Sequence, residues 1–440
     1  MQNYFHDLAN LVSTSAHAGE VTFCWLAAET SDFIRFNKNA VRQAGAVKQV
    51  AVTLALVVGA KRAEMRIMCT GTLAHDHAEI TSAIASLRND VTMVPDDPYL
   101  LYNTAVESTT HVVTGKVPDA DAVISNVIAA GQGTDLVGIY AGGAIYRGFA
   151  NSLGQRNWHH VDNFNFEWCL YHAADKAVKS SYAGADWQAG ALNQKMQFAR
   201  QQLAKLSAPA TTLKPGEYRA FFTPSALGEV IEMFNWGGFG VKSQRNKQSP
   251  LQKMIDDGQS LHSSFSLAEN TRDGLAPAFS EDGYIKAPHV ALIKNGRMAE
   301  SLVSPRSAKE YGIATNGASA DEGGESFDLR AGTLAQADAL KALDTGIFVG
   351  NLWYLNFSDR ANCRMTGMTR FATFWVENGE IKAPLNVMRF DDTAYNVMGT
   401  NLISLTAERD FMPDSASYGE RSTASSHLPG ALVSSFKLTL

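Results

Sequence analysis

The sequence predicts an α+β protein: an α/β N-terminal region with an antiparallel meander and helices, then a β-rich, barrel- or sandwich-like C-terminal domain. Three observations carry this. Runs of aromatic and β-branched residues recur along the whole chain. Segments with apolar residues at helical spacing separate some of them, mostly in the first half. The turn pairs Asp282-Gly283, Asn295-Gly296 and Asn378-Gly379 all fall in the second half. The strongest strand signal is Asp344 to Pro384. There Ile347 to Phe357 places Ile347, Val349, Trp353, Leu355 and Phe357 on one face and Phe348, Leu352 and Tyr354 on the other, the pattern of a strand covered on both sides. A polar connection, Ser358 to Arg364, leads to a second run, Thr369 to Val376. Asn378-Gly379 suits a type I′ turn, which returns Glu380 to Pro384 against that run.

A chain of 440 residues exceeds one ordinary core. Three parts are expected: an α/β subdomain over 1–95, a second over 110–207, and the β-rich domain over 216–440. In the first, Phe5, Leu8, Leu11 and Val12 mark a helix over Gln2 to Val12. Strand runs at Val21 to Ala28, Asp32 to Phe36, Gln49 to Val58 and Glu64 to Thr70 follow, with short connections such as Asn37-Lys38-Asn39 and Gly59-Ala60-Lys61 that favour a meander. His75 to Thr92 reads as a helix on the stripe Ile80, Ile84 and Leu87, and Pro95 and Pro98 interrupt the chain after it. In the second part Asp119 to Ala130 is helical, Leu136 to Tyr146 and Asn163 to His172 are strands, and Trp187 to Leu206 is the clearest helix. The third opens with the strand Tyr218 to Phe222. A helix follows, capped by Thr223, with Pro224 at its first position and the stripe Ala226, Leu227, Val230, Ile231 and Phe234. Tyr284 to Lys294 lies between two turn pairs, and the glycine-rich, acidic stretch Gly317 to Gly332 reads as a mobile loop bordering a cleft.

Charged residues are 19% of the chain and the net charge is −6, so nothing favours nucleic acid or an anionic membrane as partner. Cys24, Cys69, Cys169 and Cys363 show no CxxC spacing and read as small buried hydrophobes in a reducing compartment. The start, MQNYFHDLANLV, lacks a basic region, and no apolar run reaches the length of about eighteen residues that a membrane helix needs; a cytoplasmic protein is expected.

Chemistry-bearing motifs are sparse. His75-Asp-His77 reads as a solvated helix cap, and His159-His160 beside Trp158 as a polar loop pair. Gly131-Gln-Gly133 follows a helix and precedes a strand, the reverse of a dinucleotide loop. There is no GxSxG elbow and no activated-thiol signature, so no catalytic residue is assigned. The segment Arg364-Met-Thr-Gly-Met-Thr-Arg370 is the best candidate for binding a substrate carboxylate or peptide backbone. Arg364, Thr366, Thr369 and Arg370 are its binding groups, with Asn351 and Tyr354 from the preceding strand. The competing reading is a bulged strand edge whose arginines pair with Glu377, Asp391 or Asp392.

From about Val21 onward the order and spacing of several motifs resemble the TldD/PmbA family. They are Asp32-Phe-Ile-Arg-Phe-Asn-Lys-Asn-Ala-Val-Arg-Gln43, Phe279-Ser-Glu-Asp-Gly-Tyr284, Leu292-Ile-Lys-Asn-Gly-Arg297, Ser307-Ala-Lys309 with Thr315-Asn-Gly317, and Val376-Glu-Asn-Gly-Glu-Ile-Lys-Ala-Pro384. The resemblance implies cytoplasmic metallopeptidases acting on unfolded or modified peptides, once proposed as modulators of DNA gyrase, in which a TldD-type subunit pairs with a PmbA-type (TldE) subunit. TldD-type subunits carry HExxxH on the helix that opens the third part and a metal-binding cysteine near the C-terminus. Here that helix, Pro224 to Asn235, holds Glu229 and Glu232 but no histidine, and Ser417 to Gly430 holds His427 but no cysteine. The resemblance therefore implies the PmbA/TldE-like subunit, with no metal ligand or cofactor in this chain. A metal ion, zinc, is expected in a TldD-like partner, and the substrate is a peptide. Two other readings stay open: a metallopeptidase in its own right with dispersed ligands, and a homodimeric peptide-binding or regulatory protein without hydrolytic activity.

Overall fold

The structure, a computed structural model, describes residues 1–173 and 176–439. The strand signals of the first part condense into fewer, longer strands than their spacing predicts. Val21 to Ala28 and Asp32 to Phe36 are one strand, β1 (Glu20–Asn37), because the polar residues between them stay in register with both neighbours. Glu29 and Ser31 are buried and satisfy each other at 2.8 Å, and Glu29 also accepts from Gln49, so the apparent break is a paired, hydrogen-bonded part of the sheet. β2 (Ala40–Val58) and β3 (Lys61–Cys69) complete the expected antiparallel meander. β4 (Thr109–Val113), β5 (Asp135–Asn151), β6 (Arg156–Ala173) and β7 (Lys176–Gly184) extend it to a seven-stranded sheet of order β3-β2-β1-β5-β6-β4, with β7 also on β6. β1 pairs with β5, so residues on both sides of Pro95 build one sheet. His159 and His160 lie inside β6, and His159 is only 1% exposed; the polar-loop reading of that pair is thereby corrected.

Helices α1 (Gln2–Thr14) and α2 (Leu73–Met93) cover part of this sheet through Phe5, Leu8, Ile80, Ile84 and Leu87, the stripes that predicted them. α3 (Ala120–Ala130) is capped by Asp119, whose carboxylate accepts from the Ala122 N–H at 2.8 Å. α3 and α4 (Ala189–Leu206) bury Val123, Val127, Leu192 and Met196 with Phe164, Phe166 and Trp168 of β6. The same core takes in Phe348, Phe374 and Leu432 from the C-terminal half, so it joins the two halves.

The second half contributes β8 (Gly216–Phe222), α5 (Pro224–Asn235), β9 (Leu267–Glu269), β10 (Val290–Lys294), β11 (Arg297–Met298), β12 (Ser326–Leu329), β13 (Gly346–Asp359), β14 (Arg364–Glu377), β15 (Glu380–Pro384), β16 (Arg389–Thr393), β17 (Leu402–Pro413) and β18 (Ser425–Leu438). Its sheet runs β11-β10-β9-β12-β18-β16-β14-β13-β8, and an added β8–β18 pairing closes β18, β16, β14, β13 and β8 into a barrel. β12 lies within Gly317 to Gly332 and pairs with both β9 and β18, so that stretch is partly a sheet member and not simply a mobile loop.

The two Asn-Gly turns have the positive φ that a type I′ turn needs, at Asn295 (49°), Gly296 (76°), Asn378 (53°) and Gly379 (74°), whereas at Asp282-Gly283 only the glycine has positive φ (80°). The prediction that β13 is covered on both sides holds only for its first half. Ile347 and Val349 enter one core and Phe348 another, but the register shifts between Val349 and Asn351. The bulge turns Leu352 into the core of Ile347 and leaves Trp353 and Tyr354 41% and 68% exposed. Among the described residues no helix is long and apolar enough to cross a membrane.

Candidate functional site

α5 positions the site. The Thr223 hydroxyl accepts from the Ala226 N–H at 3.2 Å and donates to the Gly350 carbonyl at 2.6 Å, fixing the helix start to β13. Ala226, Leu227, Val230, Ile231 and Phe234 are buried in the barrel core. Helical spacing then sends Ser225, Gly228, Glu229, Glu232 and Asn235 to the other face, where they line a cleft of about 500 Å³. Asn235 clamps the opposite wall, accepting from the Gly324 N–H at 2.7 Å and donating to the Gly324 carbonyl at 3.2 Å, which sets Glu325 at the cleft edge. β6 and β7 add Glu167 and Lys179, paired at 2.9 Å, and the segment after β17 adds Asp414.

The cleft is acidic: Glu167, Glu229, Glu232, Glu325 and Asp414 face a single lysine, Lys179. Glu229 and Glu232 reach solvent through the cleft mouth but sit among enough protein atoms that desolvation raises both carboxyls above their usual range. For Glu229 the Lys179 ammonium opposes this and Glu167 adds to it; for Glu232 the Asn235 amide opposes it and Asp414 adds to it. Groups of this kind exchange a proton and hydrogen-bond amides in either state.

The six candidate binding residues do not converge. Asn351 is in the cleft: it is 7% exposed, and its amide has no hydrogen-bond partner among the described residues. Thr369, on β14, is buried and accepts from the Met388 N–H at 3.0 Å. Thr366 donates to the Phe390 carbonyl at 2.9 Å, and Arg364 pairs with Asp391 at 2.9 Å, as the strand-edge reading anticipated for one of its arginines. Arg370 forms no ion pair among the described residues; its guanidinium lies 3.6 Å from the Trp353 ring centre and 4.9 Å from that of Phe371. Tyr354, at φ 54°, rests on Trp353 at the surface.

Glu167, Lys179, Glu325 and Asp414 escaped sequence reasoning because they come from four separate segments. One signal was available for the first: in β6 the polar Asn163, Asn165 and Glu167 alternate with Phe164, Phe166 and Trp168.

The other chemistry-bearing groups lie elsewhere. Asp76 accepts the N–H groups of Thr70, Gly71 and Thr72 and the Tyr4 hydroxyl; burial opposes its ionisation, but these hydrogen bonds prevail and hold its pKa low. His159 stacks on His111, with Nδ1 atoms 3.2 Å apart, and desolvation pushes its pKa down to about 3, so it stays neutral. Burial raises Cys169 to about 11 and Cys363 to about 12, which removes both as thiolate nucleophiles.

The donor set does not fit a metal of the HExxxH type. α5 offers carboxyls without an imidazole, and among the described residues no group of three or more His, Cys, Asp or Glu side chains is arranged to hold a metal ion. His427 is on β18, against Phe411, with burial lowering its pKa.

Comparisons with known proteins place this architecture. Three solved structures share it: a protein described as a candidate modulator of a DNA gyrase from Thermotoga maritima (TM-score 0.78, 12% identity, 100% of both chains), TldE from Thermococcus kodakarensis (0.74, 14%, 100% of both), and a candidate modulator of DNA gyrase from Bacteroides thetaiotaomicron (0.76, 12%, 100% of this chain and 98% of that one). At such identities the likeness concerns the fold. No curated protein matches the sequence. Residues 215–440, just over half of the chain and the part that builds α5 and the barrel, match the family model described as the PmbA/TldA metallopeptidase C-terminal domain. The chain belongs to the PmbA/TldD metallopeptidase family.

Proposed function

We propose that this chain is the PmbA/TldE-like, non-catalytic subunit of a two-subunit peptidase: its cleft holds an extended, unfolded peptide while a TldD-type partner bearing HExxxH and zinc cleaves it. The cleft-facing side of α5 carries this reading. In a metal-bearing relative that side presents two imidazoles; here it presents Ser225, Gly228, Glu229 and Glu232. What remains suits holding a peptide. The unpartnered Asn351 amide offers both a donor and an acceptor to a main chain, and Glu229 and Glu232 offer acceptors to N–H groups. The acidic lining favours peptides with basic side chains. The exposed Trp353 and Tyr354, with Arg370 across Trp353, form an aromatic and cationic surface suited to the partner or to a continuation of the peptide.

The test is metal content. After incubation with zinc and extensive dialysis, the purified chain should retain well under one ion per molecule, and a chelator should leave its melting temperature unchanged. A ligand bound only by the folded state raises stability by mass action, so a resident ion would reveal itself on removal. One tightly held transition-metal ion per chain would refute the non-catalytic reading.

A further inference from the structure

A second cleft, of about 460 Å³, lies on the N-terminal sheet beneath the 277–286 segment. Register explains its floor. Arg147 of β5 stands opposite Ala27 of β1, which stands opposite Ala51 of β2; one step along, Trp25 stands opposite Thr53, which stands opposite Arg66 of β3. Residues two apart on a strand share a face, so both arginines and Trp25 rise on the same side, with the short Ala27, Ala51 and Thr53 leaving space between them.

Arg62, Arg66, Arg147 and Lys286 face five carboxylates, Glu64, Glu281, Asp282, Glu325 and Glu420, and the pairing among them is uneven. Arg62 is held by Glu64 and Asp282, and Lys286 by Glu325. Arg66 and Arg147 share one carboxylate, Glu420, at 3.7 and 4.0 Å, the outer limit of an ion pair. The Arg147 side chain is 9% exposed, and its remaining contacts are with the carbonyls of Tyr146 (3.0 Å) and Arg421 (3.4 Å). A buried guanidinium normally holds a carboxylate through short parallel hydrogen bonds, and this one does not. Glu420 belongs to the strap between β17 and β18. The strap is pinned by Arg421, buried against Asn163, Ser31 and the Gly143 carbonyl, while Tyr418 is fully exposed and Gly419 has φ 88°. Glu420 therefore lies over the two arginines as a resident carboxylate without sealing their site.

We propose that this cleft binds the C-terminal carboxylate of a peptide, which displaces Glu420 between Arg66 and Arg147 and lays its last side chain against Trp25. Phe279, 1% exposed, backs Trp25 edge to face at 5.7 Å, so the partly exposed Trp25 ring is the apolar surface of the cleft. Glu325 borders both clefts, which makes this one a neighbour of the cleft along α5. The proposal rests on the preceding functional reading for the peptide alone; the carboxylate chemistry comes from the arginines.

The test is calorimetric titration of the full chain with a short unstructured peptide ending in phenylalanine, as free acid and as C-terminal amide. The acid should bind about tenfold tighter or better, the worth of one charge-assisted contact. Glu420→Gln should strengthen acid binding about threefold or more, because a competitor is removed. Arg66→Gln, at a side chain 57% exposed and so compatible with an intact fold, should reduce the acid to the affinity of the amide. Equal binding of acid and amide, or acid binding unaffected by Arg66→Gln, would overturn the site. N-acetylphenylalanine binding as tightly as the peptide would overturn the peptide terminus as its ligand. A chain that pairs with an HExxxH-bearing relative but ignores the carboxylate defeats this proposal alone; one that binds the acid but never pairs defeats only the functional reading.

Discussion

Glu269→Gln should make the protein progressively more stable than the wild type as pH rises. Glu269, on β9, is 6% exposed, and desolvation raises its carboxyl from 4.5 to about 7 even though it accepts the N–H groups of Ser326 and Glu325 at 2.9 and 3.0 Å. Below pH 4.5 both folded and unfolded chains hold this proton and the group has no pH-dependent effect. Between 4.5 and about 7 the unfolded chain releases the proton while the folded chain keeps it, so stability falls as pH rises, and above that window the full penalty is present. A shift of this size corresponds to about 3 kcal/mol. Glutamine keeps an oxygen for the two N–H groups but does not titrate. Urea unfolding of both proteins from pH 4 to pH 8 should therefore show the variant gaining about 3 kcal/mol over the wild type. A difference constant to within about 0.5 kcal/mol would show that the two backbone hydrogen bonds fully offset burial and refute the reasoning. The position matters because those hydrogen bonds set Glu325, which borders both clefts.

Asn351→Ala should weaken capture of an unfolded peptide by about tenfold with little change in melting temperature, since the amide bonds to no described protein group; a large stability loss would mark it as structural. Arg370→Met removes a guanidinium stacked on Trp353 and should cost about 1 kcal/mol of stability while reducing partnered peptide cleavage; unchanged cleavage would take Arg370 out of the substrate path. Gly379→Ala, at φ 74° in the β14–β15 turn, should destabilise by about 1–2 kcal/mol in thermal unfolding; a neutral result would mean that the turn relaxes to another type.

What could be read in advance was what local chemistry decides. The α5 cap and stripe and the two Asn-Gly turns depend on neighbouring residues and appear where expected, and the antiparallel meander is present, though in three strands and not four. Features set by a partner strand were hidden. Glu29 and Ser31 look like a break until Gln49 is placed beside them, and the β13 bulge that exposes Trp353 and Tyr354 exists only against β14. The acidic cleft was least visible, because Glu167, Glu229, Glu325 and Asp414 are brought together by α5 and two sheets and share no spacing. Glu229 and Glu232 entered the sequence argument only as residues standing where a histidine was missing; the structure gives them an environment of their own.

If the chain contributes a peptide-holding cleft while a partner supplies the cleaving metal site, neither subunit should work fully without the other. Turnover of an unfolded peptide tests it most directly, measured with the purified chain alone, with an HExxxH-bearing relative alone, and with the two mixed. This chain alone should give no cleavage, and the mixture should give chelator-sensitive cleavage that exceeds the relative's own rate. Chelator-sensitive cleavage by this chain alone, surviving removal of contaminating proteases, would contradict it.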